Sequence, residues 1–166
     1  RDTDRSRGLG DVYKRQGILA VAVLLLTLAV SASAAAVKMT VGVRFWRESG
    51  DKESMADSAV DTTREATLTR QPNGTFTLEL PVKQLSSMNM TGCLTGIAIG
   101  EVNYDGTLSG DLSDGTAVLT LKNLPASVLT GSDSSKALAV TCSIKMDTIL
   151  LGDISTSAKM SIWVER

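Results

Sequence analysis

An alternation of apolar and polar residues begins at Val37 and predicts the first β-strand. The apolar residues fall on every second position, the period of a strand with one buried face, and they are Val37, Met39, Val41, Val43 and Phe45. The alternation ends at Glu48, and a charged loop follows. Beyond it, Met55 and Ala59 form an i, i+4 apolar pair, and Asp51 is placed to cap a first turn. We therefore expect a short helix that depends on the sheet for its stability.

The rest of the chain predicts antiparallel strands joined by turns. Residues 64–70 and 75–82 alternate on either side of the turn sequence QPNG, in which proline fixes φ and Asn-Gly tolerates positive φ. Further strands are predicted at 93–99, 107–112, 116–121, 137–146 and 157–164. Seven or eight short strands at this spacing predict an all-β fold, an immunoglobulin-like antiparallel β-sandwich with one short helix after the first strand.

Two segments before Val37 are expected to lie outside this domain. Residues 1–16 are polar and patternless, and DVYKRQ at 11–16 is typical of translated sequencing-adaptor sequence, so we interpret 1–16 as an artefact. Residues 17–36 combine an uncharged apolar run with the small residues of an A-x-A cleavage site, which predicts a signal peptide. An uncleaved N-terminal anchor is the alternative. The expected location is extracellular or at the cell surface, with membrane contact only through this segment.

The composition of residues 37–166 excludes several classes of function. These 130 residues can form a single core, and their 12 Lys plus Arg against 15 Asp plus Glu give a net charge of −3. Without a basic stripe we expect no nucleic-acid partner. The chain has no histidine, which excludes His-based triads and His metal ligands. No activated nucleophile or paired-carboxylate motif is evident, so we expect a protein that is not an enzyme.

Acidic and aromatic residues suggest surfaces rather than a catalytic centre. The carboxylates between Glu48 and Asp61 lack the spacing of a calcium loop, and we interpret Glu48, Asp51, Glu53, Asp57 and Asp61 as a solvated face. Trp46 and Trp163 fall on the polar phases of their strands. Each is a candidate for a contact surface.

The two cysteines, Cys93 and Cys142, fall on apolar phases of separate strands. In an exported domain they could form a disulfide that closes a loop of about 50 residues, for roughly 3 to 4 kcal/mol in the entropy model. Two buried free thiols that never meet are the alternative, because the sequence does not give the Cα separation that a disulfide requires.

Four segments resemble the NEAT (near iron transporter) domain family, in the form found in exported proteins of Gram-positive anaerobes. The segments are VGVRFWRES, DKESMADSAV, REATLTRQPNGTFTLEL and MNMTGCLTGI, and the closing SIKMDTILLGDISTSAKMSIW is similar to the end of that family. The resemblance covers nearly all of residues 37–163. It implies an exported or surface-attached domain with an eight-stranded immunoglobulin-like fold.

The resemblance also implies a haem site between the short helix and the last β-hairpin. Carried over, Ser54 and Met55 would touch the haem, and the hairpin spans residues 137–164. The family's haem-ligating tyrosines have no counterpart here, since no tyrosine follows Tyr104. A thioether is a softer alternative ligand, so Met146 and Met160 become candidate haem contacts and Met160 the candidate metal ligand. The alternative interpretation of Met146 and Met160 is that they are ordinary residues of the hydrophobic core.

Two functions follow from this resemblance and its gap. The first is an exported or cell-surface haem-binding or haem-relay module in iron acquisition, with haem or a haem-carrying protein as its partner. The alternative is an exported β-sandwich adhesion or interaction module that binds no haem.

Overall fold

The structure, a computed structural model, describes residues 36–87, 90–147 and 152–165. These residues belong to the compact unit Ala36–Arg166. The predicted artefact at 1–16 and the predicted export segment, apart from Ala36, lie outside the described residues.

All strands in the described ranges pair antiparallel, and short 3₁₀ turns are the helical elements there. The strands are β1 (Val37–Trp46), β2 (Ala66–Arg70), β3 (Phe76–Pro81), β4 (Leu85–Ser87), β5 (Met90–Ile99), β6 (Val102–Asp105), β7 (Thr107–Ser109), β8 (Val118–Leu124), β9 (Leu138–Met146) and β10 (Asp153–Val164). The 3₁₀ turns are Met55–Ala59, Ala126–Val128 and Ser134–Lys136. The predicted all-β architecture is confirmed.

Strand β1 joins the two halves of the sandwich. Its residues Val37–Val41 pair with β2, and its residues Val41–Trp46 pair with β10. The strands follow one another in the order β4, β5, β9, β10, β1, β2, β3, β8, β7. One half therefore contains β4, β5, β9, β10 and the end of β1, and the other contains the start of β1 with β2, β3, β8 and β7.

The consecutive strands β6 and β7 form a second connection between the two halves, at the edges away from β1. Strand β6 pairs with β5, and β7, one residue further on, pairs with β8. Gly106 stands between them, where its N–H donates to the Thr95 carbonyl over 2.8 Å and a Cβ would collide with the Leu119 side chain. This division at Gly106, with the three-residue β4, raises the strand number to ten where seven or eight were predicted.

The inner faces of both halves share one hydrophobic core. The alternation predicted for residues 75–82 is confirmed along β3, where Phe76, Leu78 and Leu80 are buried and Thr77 and Glu79 are half-buried. The prediction was wrong for Val37, which is 55% exposed because it pairs with Arg70 at the end of the β2–β3 hairpin. The largest fully buried side chains are Phe45, Leu68, Leu78, Leu80, Leu94, Ile97, Leu119, Leu121, Leu124, Ile144, Met160 and Ile162.

The predicted short helix is a five-residue 3₁₀ turn, Met55–Ala59. Its N-cap is Ser54, whose hydroxyl accepts from the Ala56 N–H, and not Asp51, which accepts from the Ser49 hydroxyl outside the turn. Ala59 is buried while Met55 is exposed, so the expected apolar pair does not form. Within the described ranges no helix has the length and apolar character to cross a membrane.

A β-bulge in β5 decides where the two cysteines lie. Leu94 pairs with Ile144 and Gly96 pairs with Ser143, so Thr95 is the extra residue. The bulge shifts the phase, and Leu94 rather than Cys93 shares the inner face with Ile97. Cys142 pairs with Ile97 in the core, whereas Cys93 pairs with the exposed Lys145 on the outer face. Both thiols are free, which is the second of the two alternatives that the sequence left open.

We expect two free thiols per chain and no disulfide, even without reductant. Burial raises the pKa of the Cys142 thiol to about 12 and also raises the pKa of Cys93, so little thiolate exists at pH 8. A chromogenic disulfide reagent should react slowly with the native chain and with two thiols after denaturation in guanidinium. A thiol count near zero in the denatured chain would contradict the placement on opposite faces.

Candidate functional site

The 3₁₀ turn Met55–Ala59 lies beside the second half of β1, where the pairing of β1 with β2 has ended. Beyond Val41, the edge of β1 that faced β2 has no strand partner, and the chain itself returns to fill it. Trp46 forms a β-bridge with Glu53, and the Ser54 N–H donates to the Phe45 carbonyl over 2.8 Å. The turn packs against β1 and β5 and so lies across the open end of the sandwich.

A buried carboxylate also holds the 3₁₀ turn against β1. Asp57 is only 6% exposed, and its Oδ1 accepts from the Phe45 N–H over 2.8 Å. The Arg44 guanidinium donates to Asp57 Oδ2 over 3.2 Å and to Glu53. Desolvation raises the pKa of Asp57, although the Phe45 N–H and Arg44 oppose the rise. The prediction of a solvated acidic face was therefore wrong for Asp57.

The last hairpin extends past the end of β1. Strand β10 first pairs with β1 at Lys159, opposite Trp46, while residues 153–158 pair with β9 alone. On the inner face of this extension, Ile154 and Thr156 are half-buried. The 3₁₀ turn packs against β1, and the inner face of residues 153–158 extends beyond the part of β10 that pairs with β1.

The methionines singled out from the sequence differ sharply in their accessibility. Met55 is 43% exposed, Met146 is 8% exposed and Met160 is fully buried. Met160 pairs with Phe45 and Leu138 in the core, and Met146 packs across Gly92. Neither Met146 nor Met160 therefore presents its sulfur to a ligand in this conformation.

The strand register also separates Met146 from Met160. Leu138, the partner of Met160, lies eight residues along β9 from Met146. At about 3.3 Å per residue the separation is roughly 26 Å, too far for both sulfurs to reach one iron atom. Ser54 lies near the Met160 end, but it is 6% exposed and its hydroxyl caps the turn.

Two tryptophans lie on the outer face of β1 and β10. Trp46 Nε1 donates to the buried Ser161 hydroxyl over 3.0 Å. The Trp163 ring lies over Gly42, its cross-strand partner, where a Cβ would collide with the indole. Both indoles are half-buried and fixed by these contacts.

The functions of Asp57, Gly42 and Ser161 were not anticipated from the sequence. Asp57 stands between the buried Ala56 and Ala59, and this small apolar setting was the available signal. Gly42 interrupts a strand, which is a recognised mark of close approach by another group. Among the described residues, no group of three or more His, Cys, Asp or Glu side chains is arranged to hold a metal ion.

These features define an antiparallel β-sandwich with a short 3₁₀ turn packed against the end of its first strand. No family model and no curated protein sequence matches the chain. Among solved structures, a similar one is that of a mutant of IsdX2-NEAT5 in complex with heme, with a TM-score of 0.49 and 9% identity over 79% of this chain and 98% of that chain. These values do not establish the NEAT family, and the fold assignment rests on the strands themselves.

Replacing Asp57 with asparagine should change how stability depends on pH. Because the folded-state pKa of Asp57 is raised, the folded state holds its proton more tightly than the unfolded state. The wild-type protein should therefore become more stable relative to Asp57→Asn as the pH falls from 7 through the folded-state pKa of Asp57. The gain should continue towards the ordinary pKa of an aspartate side chain. Urea unfolding of both proteins at pH 4 to 7 measures the difference. A wild-type advantage that grows towards pH 7 would contradict the raised pKa.

Replacing Gly42 with alanine should destabilise the protein by about 1 to 3 kcal/mol, because the new methyl group displaces the Trp163 ring. A red shift of tryptophan fluorescence should accompany the loss. The control is the same change in a Trp163→Leu background, where the cost should fall substantially, since the double-mutant cycle isolates this contact. An unchanged cost in that background would show that the Trp163 contact is not its cause.

Proposed function

We propose that this β-sandwich is an exported or cell-surface module that binds haem and passes it on during iron acquisition. The observations that carry the proposal are the exposed Met55 at the start of the 3₁₀ turn and the half-buried inner face of β10 beyond its last pair with β1. Export rests on the predicted signal segment at 17–36, and the haem-relay role rests on the resemblance to the NEAT family.

The proposed haem site would lie between Met55 and the inner face of β10, and it would bind haem mainly through apolar contact. A porphyrin presents two large apolar faces, and burying them is the main source of affinity available to a site without strong ligands. In the proposed site, the half-buried Ile154 and Thr156 would contact haem from the hairpin, and the exposed Met55 would contact it from the 3₁₀ turn. Asp57 and Ser54 fix the turn, so little conformational entropy is lost when the ligand binds.

Met55 is the better candidate for the iron ligand than Met160 or Met146. Its thioether is accessible, whereas the other two sulfurs would have to leave the core. A thioether is a soft ligand and favours the reduced metal, in contrast to the tyrosinate that the family resemblance leads one to expect. We therefore propose tighter binding of ferrous than of ferric haem.

An adhesion or interaction module without haem is the second candidate. The burial of Met146 and Met160 favours an interaction module, because only Met55 among the three methionines proposed as haem contacts is then accessible. The two half-buried tryptophans on the outer face also favour it, since such residues often anchor protein contacts.

An absorption titration with ferric and then ferrous haem tests the first proposal. We expect a Soret band that shifts and saturates at one equivalent of haem. Met55→Leu keeps the apolar volume but removes the sulfur, so ferrous affinity should fall by about tenfold, which corresponds to about 1.4 kcal/mol. Ferric affinity should fall less.

Met39→Leu is the matched control, because Met39 is half-buried in the part of β1 that pairs with β2, away from the 3₁₀ turn. It should leave both titrations unchanged. A non-saturating response in both oxidation states would exclude haem binding and favour the interaction module. Equal losses in Met55→Leu and Met39→Leu would exclude Met55 as the ligand.

A further inference from the structure

A small cavity lies beside β1 where β2 ends, and its lining includes the buried core residues Val43, Val60 and Leu80. Its volume is about 120 Å³, many times the roughly 15 Å³ that one water requires. The polar and aromatic side chains that line it come from β1, from the segment after the 3₁₀ turn, and from the end of β10. They are Arg44, Asp61, Thr62, Trp163 and Glu165.

The aromatic wall of this cavity is held rigidly. The Trp163 ring rests on the backbone of Gly42, which also borders the cavity. Directly after Trp163 and Val164, the Glu165 N–H donates to the Thr40 carbonyl over 3.0 Å, which fixes the end of β10 against β1. The indole and the Glu165 backbone are therefore positioned before any ligand arrives.

Another part of the lining is a carboxylate that hydrogen bonds hold in place, that of Asp61. Asp61 Oδ1 accepts from the Thr63 hydroxyl over 2.7 Å and from the Thr63 N–H over 3.1 Å. These hydrogen bonds, the hydroxyl first, lower the pKa of Asp61, and the charges of Arg64 and Lys83 lower it further. Asp61 is consequently ionised at neutral pH.

The cationic side chains near the cavity are engaged with other groups or stand outside its wall. Arg44 lines the cavity, but its guanidinium binds Glu53 and Asp57. Arg64 donates to the carbonyls of residues 115, 116 and 117. The cavity thus combines an indole with the two carboxylates Asp61 and Glu165.

We propose that this cavity binds a small organic cation, an alkylammonium group of the primary or quaternary type. An aromatic ring attracts a cation through its quadrupole, and adjacent carboxylates supply the opposite charge. A neutral molecule of the same shape gains only the apolar contact. The proposal is independent of haem binding, because Met55, Ile154 and Thr156 do not line this cavity.

A titration of the ¹⁵N-labelled chain by NMR tests the proposal, since the chain has only two tryptophans and therefore two indole N–H signals. Choline, butylammonium and the neutral isostere 3,3-dimethyl-1-butanol are added separately at constant ionic strength. We expect the Trp163 signal to shift and saturate with at least one cation, at an affinity at least fivefold above that of the neutral isostere. Preference for choline would indicate a quaternary headgroup as the ligand, and preference for butylammonium a lysine-like side chain.

Asp61→Asn keeps the acceptor for Thr63 and removes the charge, so cation affinity should fall at least fivefold. Glu165→Gln should act in the same direction. Asp111→Asn is the matched control, because Asp111 accepts from the Ser113 N–H and hydroxyl in the same kind of turn, away from the cavity. Equal affinity for cations and the neutral isostere, no saturable shift, or equal losses in Asp61→Asn and Asp111→Asn would each overturn the proposal.

Discussion

The structure depends on how the second half of β1 satisfies its backbone after β2 has ended. A buried strand edge with unpaired N–H and C=O groups is costly, and something must replace the missing strand. Here the chain turns back on itself, so that Glu53 and Ser54 bridge to β1 and the Asp57 carboxylate accepts the Phe45 N–H. The 3₁₀ turn is thereby fixed across the end of the sandwich. Met55 is exposed as a consequence of this arrangement.

The two halves share a single core because β1 at one edge, and β6 with β7 at the other, connect them. Strand β1 serves both halves at one edge, and β6 and β7 serve them at the other, so the inner faces are held together along both sides. Close approach at Gly106 makes the second crossing possible. The bulge at Thr95 then re-aims Leu94 into the core and turns Cys93 out of it. Two cysteines that share an apolar phase in the sequence therefore end on opposite faces.

The packing of this fold decides which side chains remain accessible to a ligand. Met160 and Met146 have the chemistry of iron ligands, but packing uses them as core residues. Met55, in contrast, contributes little to the core and can contact a ligand without unfolding anything. On the outer face, Trp163 is both a packing partner for Gly42 and a wall of the charged cavity. The two surfaces can therefore act independently.

The sequence by itself determined most of the strands and the β2–β3 hairpin, because alternation and turn chemistry are local properties, but it did not reveal β6 or the bulge in β5. It also determined the absence of histidine chemistry and pointed to the segment containing Ser54 and Met55. The tertiary structure alone decided the burial of Asp57, the exposure of Met55, the separation of the cysteines and the pairing of Trp163 with Gly42. Each of these depends on which strand lies beside which and in what register, and a bulge of one residue reverses the outcome. Local patterns contain no information about such distant partners.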